Sequence, residues 1–373
     1  MTATETAQTS APGSGTPGGT PKGGIPSALT AGHLKPRTPW LILVGSLALS
    51  AIVFGVLATG TGEYNWAGAL IVGLIVYAFA VWLFSYLVEG RRRATDRLVT
   101  AIVTGAFLLA MAPLISVAYT VVSLGLNRFD LEFFTSSMRN VTGEGGGALH
   151  AIVGTLLMTG AAAIISIPIG LMTSIYLVEY GRGKLARGIT FLVDVMTGIP
   201  SIVAGLFAYA LFALFFGPGI RLGIAGAVAL SILMIPVVVR SSEEMLRLVP
   251  NELREASYAL GVPKWLTIVK VVLPTSIAGI VTGIMLSIAR VIGETAPLLI
   301  AAGFTQSMNY NLFEGRMQSL PVYVYTQYAN QGNPASAYLD RAWAAALTLI
   351  LIVMLLNLAG RLIAKFFAPK FGR

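Results

Sequence analysis

The chain has 373 residues, of which 55% are hydrophobic and 11% charged, and its mean hydropathy is +0.78. Those values exclude a soluble domain of this length and indicate a polytopic membrane protein. The formal net charge is +9 and there are no cysteines, so neither a disulfide framework nor thiolate metal ligation can be argued.

Residues 1–38 are mostly Gly, Pro, Thr and Ser without an apolar stretch, which predicts a disordered tail rather than a cleaved signal peptide. Runs long enough to cross about 30 Å of hydrocarbon at about 1.5 Å per residue then follow near 39–60, 67–88, 98–125, 148–178, 199–217, 219–240, 276–302 and 342–367. The expected fold class is therefore all-α, with about eight transmembrane helices. Residues 39–125 hold three spans as an N-terminal extension. An extracytoplasmic loop, 126–147, closes on Gly145-Gly146-Gly147, which reads as a hinge. The other five spans form one block, 148–367, followed by a short C-terminus, 368–373.

Charge sets the orientation. With both termini cytoplasmic, 19 of the 25 Lys and Arg residues fall in inside segments, Arg91, Arg92 and Arg93 among them. Arg128, Arg139, Arg221, Arg316 and Arg341 fall in outside loops, and only Arg290 falls within a span. Basicity here is a topology signal, and nucleic acid is not an expected partner.

Inside the block, Gly183 to Asp194 carries its charges first and its apolar run behind, which predicts a short interfacial helix turning into the membrane near Pro200, with Asp194 at the interface. His150 stands at a span entrance and reads as interfacial. Gly181-Arg182-Gly183-Lys184 lacks the glycine spacing and the Ser/Thr of a phosphate-binding loop, since Leu185 follows the lysine. Between 303 and 341, Pro321 with Tyr323, Tyr325 and Tyr328 predicts a short helix at the membrane surface, its tyrosines serving as interface anchors.

Residues 241–274 are too charged to span and too regular for a loose loop. Asn251 after Pro250 suits an N-cap; Leu253, Ala256, Ser257 and Leu260 follow at helical spacing, and Gly261 stands where a C′ glycine belongs. Pro263 opens a second short helix with Trp265, Ile268, Val269 and Val272 on one face, which Leu273-Pro274 should end. Glu252, Arg254 and Glu255 flank the apolar face, as suits a protein interface.

This segment resembles the cytoplasmic loop of the MetI-like permeases of ATP-driven importers. Their pattern is E-A-A, three residues, G, nine residues, then I-x-L-P; here Glu255, Ala256, Gly261, Leu273 and Pro274 match, with Ser257 for the second Ala and Val271 for Ile. The resemblance covers roughly 148–367. It implies a MetI-like permease core whose loop docks in a cleft of a separate ATP-hydrolysing subunit, with Glu255, Ala256, Ser257, Gly261, Val271, Leu273 and Pro274 forming the ATPase-coupling element.

Arg290 lies near the middle of the seventh expected span, and Glu294 follows at i+4 on what should be the same helical face, so the two are expected to pair. Ionised groups at that depth belong on a protein interior or a water-filled path. Arg290 would then offer positive potential to a crossing anion, with Glu294 as its counter-charge in a closed state. A structural ion pair to a neighbouring helix is the competing reading.

The run Ala289 to Leu299, together with Asp194 to Gly205 and Leu320-Pro321-Val322, is similar to the PstA-type phosphate permeases. Ala296 stands where the companion permease usually has Met. This resemblance implies phosphate as cargo and three kinds of partner besides membrane lipid: a second permease subunit of PstC type, a dimer of ATPase subunits of PstB type and an extracytoplasmic phosphate-binding protein of PstS type, all at a bacterial plasma membrane. No cofactor and no catalytic residue of its own are expected. The residues alone leave open a permease for another oxyanion, a proton-coupled secondary carrier using Arg290 and Glu294 as a relay, and a non-transporting membrane sensor.

Overall fold

The computed structural model describes residues 34, 37–61 and 64–367, so most of the expected tail and the C-terminus 368–373 lie outside the described residues. Those residues form helices and connections without a strand. They divide into two compact units, Met1–Ile115 and Ser116–Arg373.

In the first unit, α1 (Thr38–Thr61) and α2 (Trp66–Glu89) form a helical hairpin. Asn65 caps α2 by accepting the Gly68 N–H at 2.8 Å, and the buried Ser50 hydroxyl donates to the Ala69 carbonyl at 2.6 Å. The third helix, α3 (Arg91–Gly125), starts after Gly90, whose φ of +87° lets the chain turn sharply. Arg97 closes that corner on Glu89 with bonds of 2.6 and 2.9 Å.

The second unit takes in the end of α3 from Ser116 and continues with α4 (Leu131–Thr135) and α5 (Leu149–Ile175), the latter running on as a π turn, Tyr176–Tyr180. Next come α6 (Gly183–Thr197), α7 (Ser201–Phe216) and α8 (Gly223–Arg247). They lead through α9 (Asn251–Ala259) and α10 (Lys264–Thr267), then a second π turn, Ile268–Val272, to α11 (Leu273–Val291). The unit ends with α12 (Ala296–Ala301), α13 (Leu320–Ala329) and α14 (Ala335–Phe367).

Seven helical stretches among the described residues are long and apolar enough to span, and α6 with α7, bent by 108°, would be an eighth if counted as one. The expected count of about eight therefore depends on that bent pair: α7 alone has 16 residues, about 24 Å at 1.5 Å per residue. The bend falls at Gly198 to Pro200, where the sequence placed it.

The core is built on α5 and α8. Its fully buried side chains include Met158, Leu230, Met234 and Val238, with Leu298 and Met317 beside them. Small residues let the backbones close: a Cβ on Gly154 would lie 2.1 Å from the Gln318 carbonyl oxygen, and one on Gly170 2.6 Å from Val238 Cγ1.

Four expectations at this end of the molecule are corrected. Gly145-Gly146-Gly147 is a clamp rather than a hinge. Gly145 and Gly146 take φ of +84° and +66°, and a Cβ on Gly147 would meet the Phe133 carbonyl oxygen at 2.4 Å. Around them Arg341 donates to the Gly143 and Gly145 carbonyls at 2.7 and 2.9 Å, and Arg128 to that of Gly146 at 3.0 Å. Arg341 is thus a buried residue of α14, not an outside-loop charge. His150 is buried rather than interfacial, its Nε2 sharing a 3.2 Å hydrogen bond with Gln318 Oε1. Of the proposed anchors, Tyr323 is fully enclosed, and burial pushes its phenol up in pKa, whereas Tyr325 and Tyr328 are exposed.

Gly154→Ala is expected to destabilise the protein by about 1–3 kcal/mol, since backbone rather than a flexible side chain must yield. Gly160→Ala, with nothing within 4 Å of its new Cβ, should be close to neutral. Thermal unfolding of the two variants in detergent checks the difference.

Candidate functional site

The coupling segment is built around α9. Its N-cap is Pro250 with no side-chain capping bond, so Asn251 is the first helical residue and not the expected cap. At the other end the Gly261 N–H reaches the Tyr258 carbonyl at 2.9 Å and the Val262 N–H that of Ser257 at 3.2 Å. This is a Schellman stop, and the φ of +76° at Gly261 is why glycine is needed there. Ser257, the departure from the family pattern, is buried and bonds the equally buried Thr267 hydroxyl at 2.8 Å, joining α9 to α10.

The second helix does not end at Leu273-Pro274. Lys264–Val291 is one continuous helical span of 28 residues. Pro274 falls in the first turn of α11. The π turn just before it absorbs the mismatch left by a residue that lacks an N–H and crowds the preceding turn. The second helix of the coupling segment and Arg290 therefore lie on one rod, with about 39 Å between Lys264 and Arg290 at 1.5 Å per residue.

Arg254 was expected to flank an interface, but it turns inward. Its Nε and Nη2 donate to Glu179 Oε1 at 3.0 and 2.8 Å, and further bonds reach the Val249 and Leu246 carbonyls at 2.6 and 3.0 Å and Asn251 Oδ1 at 3.3 Å. Lys264 donates to the Glu179 carbonyl and sits 4.7 Å from the centre of the Tyr180 ring. Sequence reasoning missed Glu179; the signal was a lone acid closing the apolar run of α5.

With α9 held from behind, its outer face carries Leu260, 84% exposed, and α10 presents Trp265, 61% exposed; Glu252, Glu255 and Ala256 are exposed beside them. Val271 and Leu273 are half-buried and Pro274 is exposed.

The expected pairing of Arg290 with Glu294 is not present. Helix α11 stops at Val291; the Glu294 N–H bonds the Val291 carbonyl at 3.1 Å in a turn through Gly293, and Pro297 restarts the chain in α12. The i,i+4 geometry required an unbroken helix. Arg290 is exposed, Glu294 half-buried, and among the described residues neither forms an ion pair or a side-chain hydrogen bond. The break is held from the side by α7, where Gly205 lets Pro297 approach so closely that a Cβ would lie 2.6 Å from its Cα.

A second group of charges ties α6 to α8. Asp194 is exposed and pairs with Arg240, which also reaches Glu243 at 2.9 Å; Arg247 holds the same Glu243 at 2.6 Å.

Arg254→Ala would leave Glu179 buried without its cation, a loss of about 3–5 kcal/mol for a pair of this kind. The expected result is faster amide hydrogen exchange confined to 249–263, with little change in α14. Glu179→Gln, which keeps one hydrogen-bond acceptor, should show a smaller increase at the same amides.

Comparison with known proteins follows the same lines. A family profile described as binding-protein-dependent transport system inner membrane component matches residues 166–373. The phosphate transport system permease protein PstA 1 of Mycobacterium tuberculosis is 49% identical over 286 residues, covering 76% of this chain and 91% of that protein. The PstA proteins of Mycobacterium leprae and Pasteurella multocida are 48% and 41% identical over 72% and 68% of this chain, and 88% of each of those proteins. Among solved structures, a chain of the MetNI methionine ABC transporter in an inward-facing conformation aligns with a TM-score of 0.50 at 23% identity, over 59% of this chain and 96% of that one. A chain of a bacterial alginate ABC transporter aligns with a TM-score of 0.52 at 12% identity, over 77% and 100%. Both likenesses concern the fold.

Proposed function

We propose, because the chain belongs to the PstA family of phosphate transport system permeases, that it is the membrane subunit through which inorganic phosphate is imported at the expense of ATP hydrolysed elsewhere. The observation that carries this reading is Arg290, a cation without a counter-ion at a helix break, on the same rod as an exposed coupling element. An unpaired guanidinium can offer its planar fork to a phosphate oxyanion, whereas one held by a carboxylate cannot.

In this reading the chain pairs with a second permease of PstC type and receives phosphate from an extracytoplasmic binding protein of PstS type. The exposed face formed by Leu260, Trp265 and Glu255 docks on an ATPase of PstB type. Movement of that ATPase shifts α9; Glu179 and Arg254 pass the shift to α5, and Lys264–Val291 passes it to the Arg290 break. Glu294 approaches Arg290 only in the state that carries no phosphate, so the anion and the carboxylate alternate at one guanidinium. Both termini and the coupling segment face the cytoplasm of a bacterial plasma membrane, a placement the charge bias supports. The chain has no catalytic role of its own. Residues 39–125 are an added extension, 126–147 an extracytoplasmic loop, and 148–367 the permease core.

The test is uptake of radiolabelled phosphate by vesicles holding the assembled transporter, with and without ATP. Uptake indifferent to ATP would overturn the importer reading. Arg290→Lys keeps the charge but loses the fork and should retain part of the rate, while Arg290→Ala should lose about tenfold or more, the scale of a charged hydrogen bond. Wild-type uptake by Arg290→Ala would remove Arg290 from the path.

A further inference from the structure

Two other cations of the second unit are brought together on the side of the molecule away from the coupling segment. Arg221 immediately precedes the start of α8, which runs from Gly223 to Arg247 over about 37 Å at 1.5 Å per residue and reaches the coupling segment at its far end. Arg316 lies 95 residues further along, in the connection ahead of α13.

Backbone hydrogen bonds place both beside the end of α12. The Leu222 N–H donates to the Ala301 carbonyl at 3.3 Å, and the Met317 N–H to the Ala302 carbonyl at 3.3 Å. Asn309 holds the Glu314 and Arg316 carbonyls at 2.7 and 3.0 Å, which fixes the approach of the second segment. Between the two stands Gly303, with φ +76°. A Cβ built there would lie 2.9 Å from Arg221 Cδ and 3.4 Å from Arg316 Cδ, so the aliphatic stems of both arginines converge on one glycine.

Among the described residues this convergence has no compensating partner. Neither arginine forms an ion pair or a side-chain hydrogen bond among the described residues. The nearby carboxylate of Glu314 takes a 3.3 Å bond from Asn311 instead. Nor do the arginines cap α12: its terminal carbonyls at Leu298, Ala301 and Ala302 are already taken by backbone N–H groups. Elsewhere in the unit Arg128, Arg240, Arg247 and Arg254 each have a carboxylate. Stems that start at one glycine let both cations reach a single anion, and a shared anion offsets the repulsion between two like charges. The six residues of α12, about 9 Å long, separate this pair from the break beside Arg290.

We infer that Arg221 and Arg316 form an outer phosphate-receiving site, where the anion released at the extracytoplasmic mouth is held before it moves along α12 to Arg290. The inference rests on the phosphate-import reading above. It assigns these arginines to the cargo and not to the docking of the binding protein.

The experiment uses the complete transporter in proteoliposomes with saturating phosphate-loaded binding protein, measuring radiolabelled phosphate uptake and ATP hydrolysis together. The double variant Arg221→Gln with Arg316→Gln should lower phosphate taken up per ATP by about tenfold, the scale of lost charged hydrogen bonds, while the binding protein still stimulates hydrolysis to within about twofold. Arg221→Lys with Arg316→Lys should keep at least about half of the wild-type ratio, because the charges remain. A double Gln variant with a wild-type ratio overturns the inference. So does a parallel fall of uptake and stimulation that raising the binding-protein concentration restores, since that is a docking defect. If the double variant fails to assemble, the exposed Arg316→Gln alone carries the test: a lowered ratio supports the site and an unchanged one overturns it. Wild-type vesicles that take up no phosphate would instead overturn the import reading itself.

Discussion

Lipid tails are as apolar as leucine, so helices inside a bilayer gain little by hiding leucine from lipid, and what holds them is how closely their backbones can approach. In this protein that constraint is met between α5 and α8. Gly170 admits Val238 so closely that a Cβ would sit 2.6 Å from its Cγ1, and Gly226 admits Met158, Leu298 and Ala302, each within 3.0 Å of such an atom. Ser166 adds a 3.4 Å hydrogen bond to the Ser231 carbonyl. The other functional parts are fastened to this pair. Helix α8 carries Arg221 ahead of one end and the coupling segment beyond the other, while α5 ends in Glu179, which holds that segment from behind.

A coupling element has to be held firmly by its own subunit while leaving a face open to another. Helix α9 has only nine residues, too few to be stable alone. Its inner side is fixed by Ser257 on Thr267 and by Arg254 on Glu179, both polar and both largely shielded. Such bonds contribute less to overall stability than to fixing one arrangement, because desolvation offsets much of their attraction. That suits a part whose task is to keep its position under load. The two π turns, at Tyr176–Tyr180 and Ile268–Val272, lie at the points where α5 and the α11 rod meet this element.

The spans, the short helix before Pro200 and the glycine at 261 were legible because each depends on local composition or on one residue's permitted φ. Pairings across the chain were not. Arg254 and Glu179 are 75 residues apart, and Arg341 and Gly143 are 198 apart. Helical periodicity reports only neighbours within about one turn. The same limitation misled where a local rule was applied without its premise: Arg290 and Glu294 stand four apart, yet the helix ends between them at Val291. Pro274 gave the opposite error. A proline is a stop signal in most sequences, but in the first turn of a helix its missing N–H costs little, and here a π turn precedes it. Triple glycine at 145–147 suggested freedom, whereas the positive φ values and tight contacts there require glycine in a fixed conformation.

Counting charges by loop yields an expected orientation and treats every arginine alike. The folded chain divides them by what they face. Arg254, Arg240, Arg247 and Arg128 are each engaged by a carboxylate, so their positive potential is largely neutralised within the chain, while Arg341 is enclosed and donates Nη1 to the Gly143 and Gly145 carbonyls. Arg290, Arg221 and Arg316 have no such partner among the described residues. A cation whose donors are already satisfied offers an anion only a competition, and at reduced dielectric that competition is costly; one with free donors offers attraction at once. Which arginines can serve a passing anion is therefore decided by where the acidic residues are spent. In this chain Asp130, Glu179, Asp194 and Glu243 are spent on structural joints, and Arg290, Arg221 and Arg316, on either side of α12, are left without a carboxylate partner among the described residues.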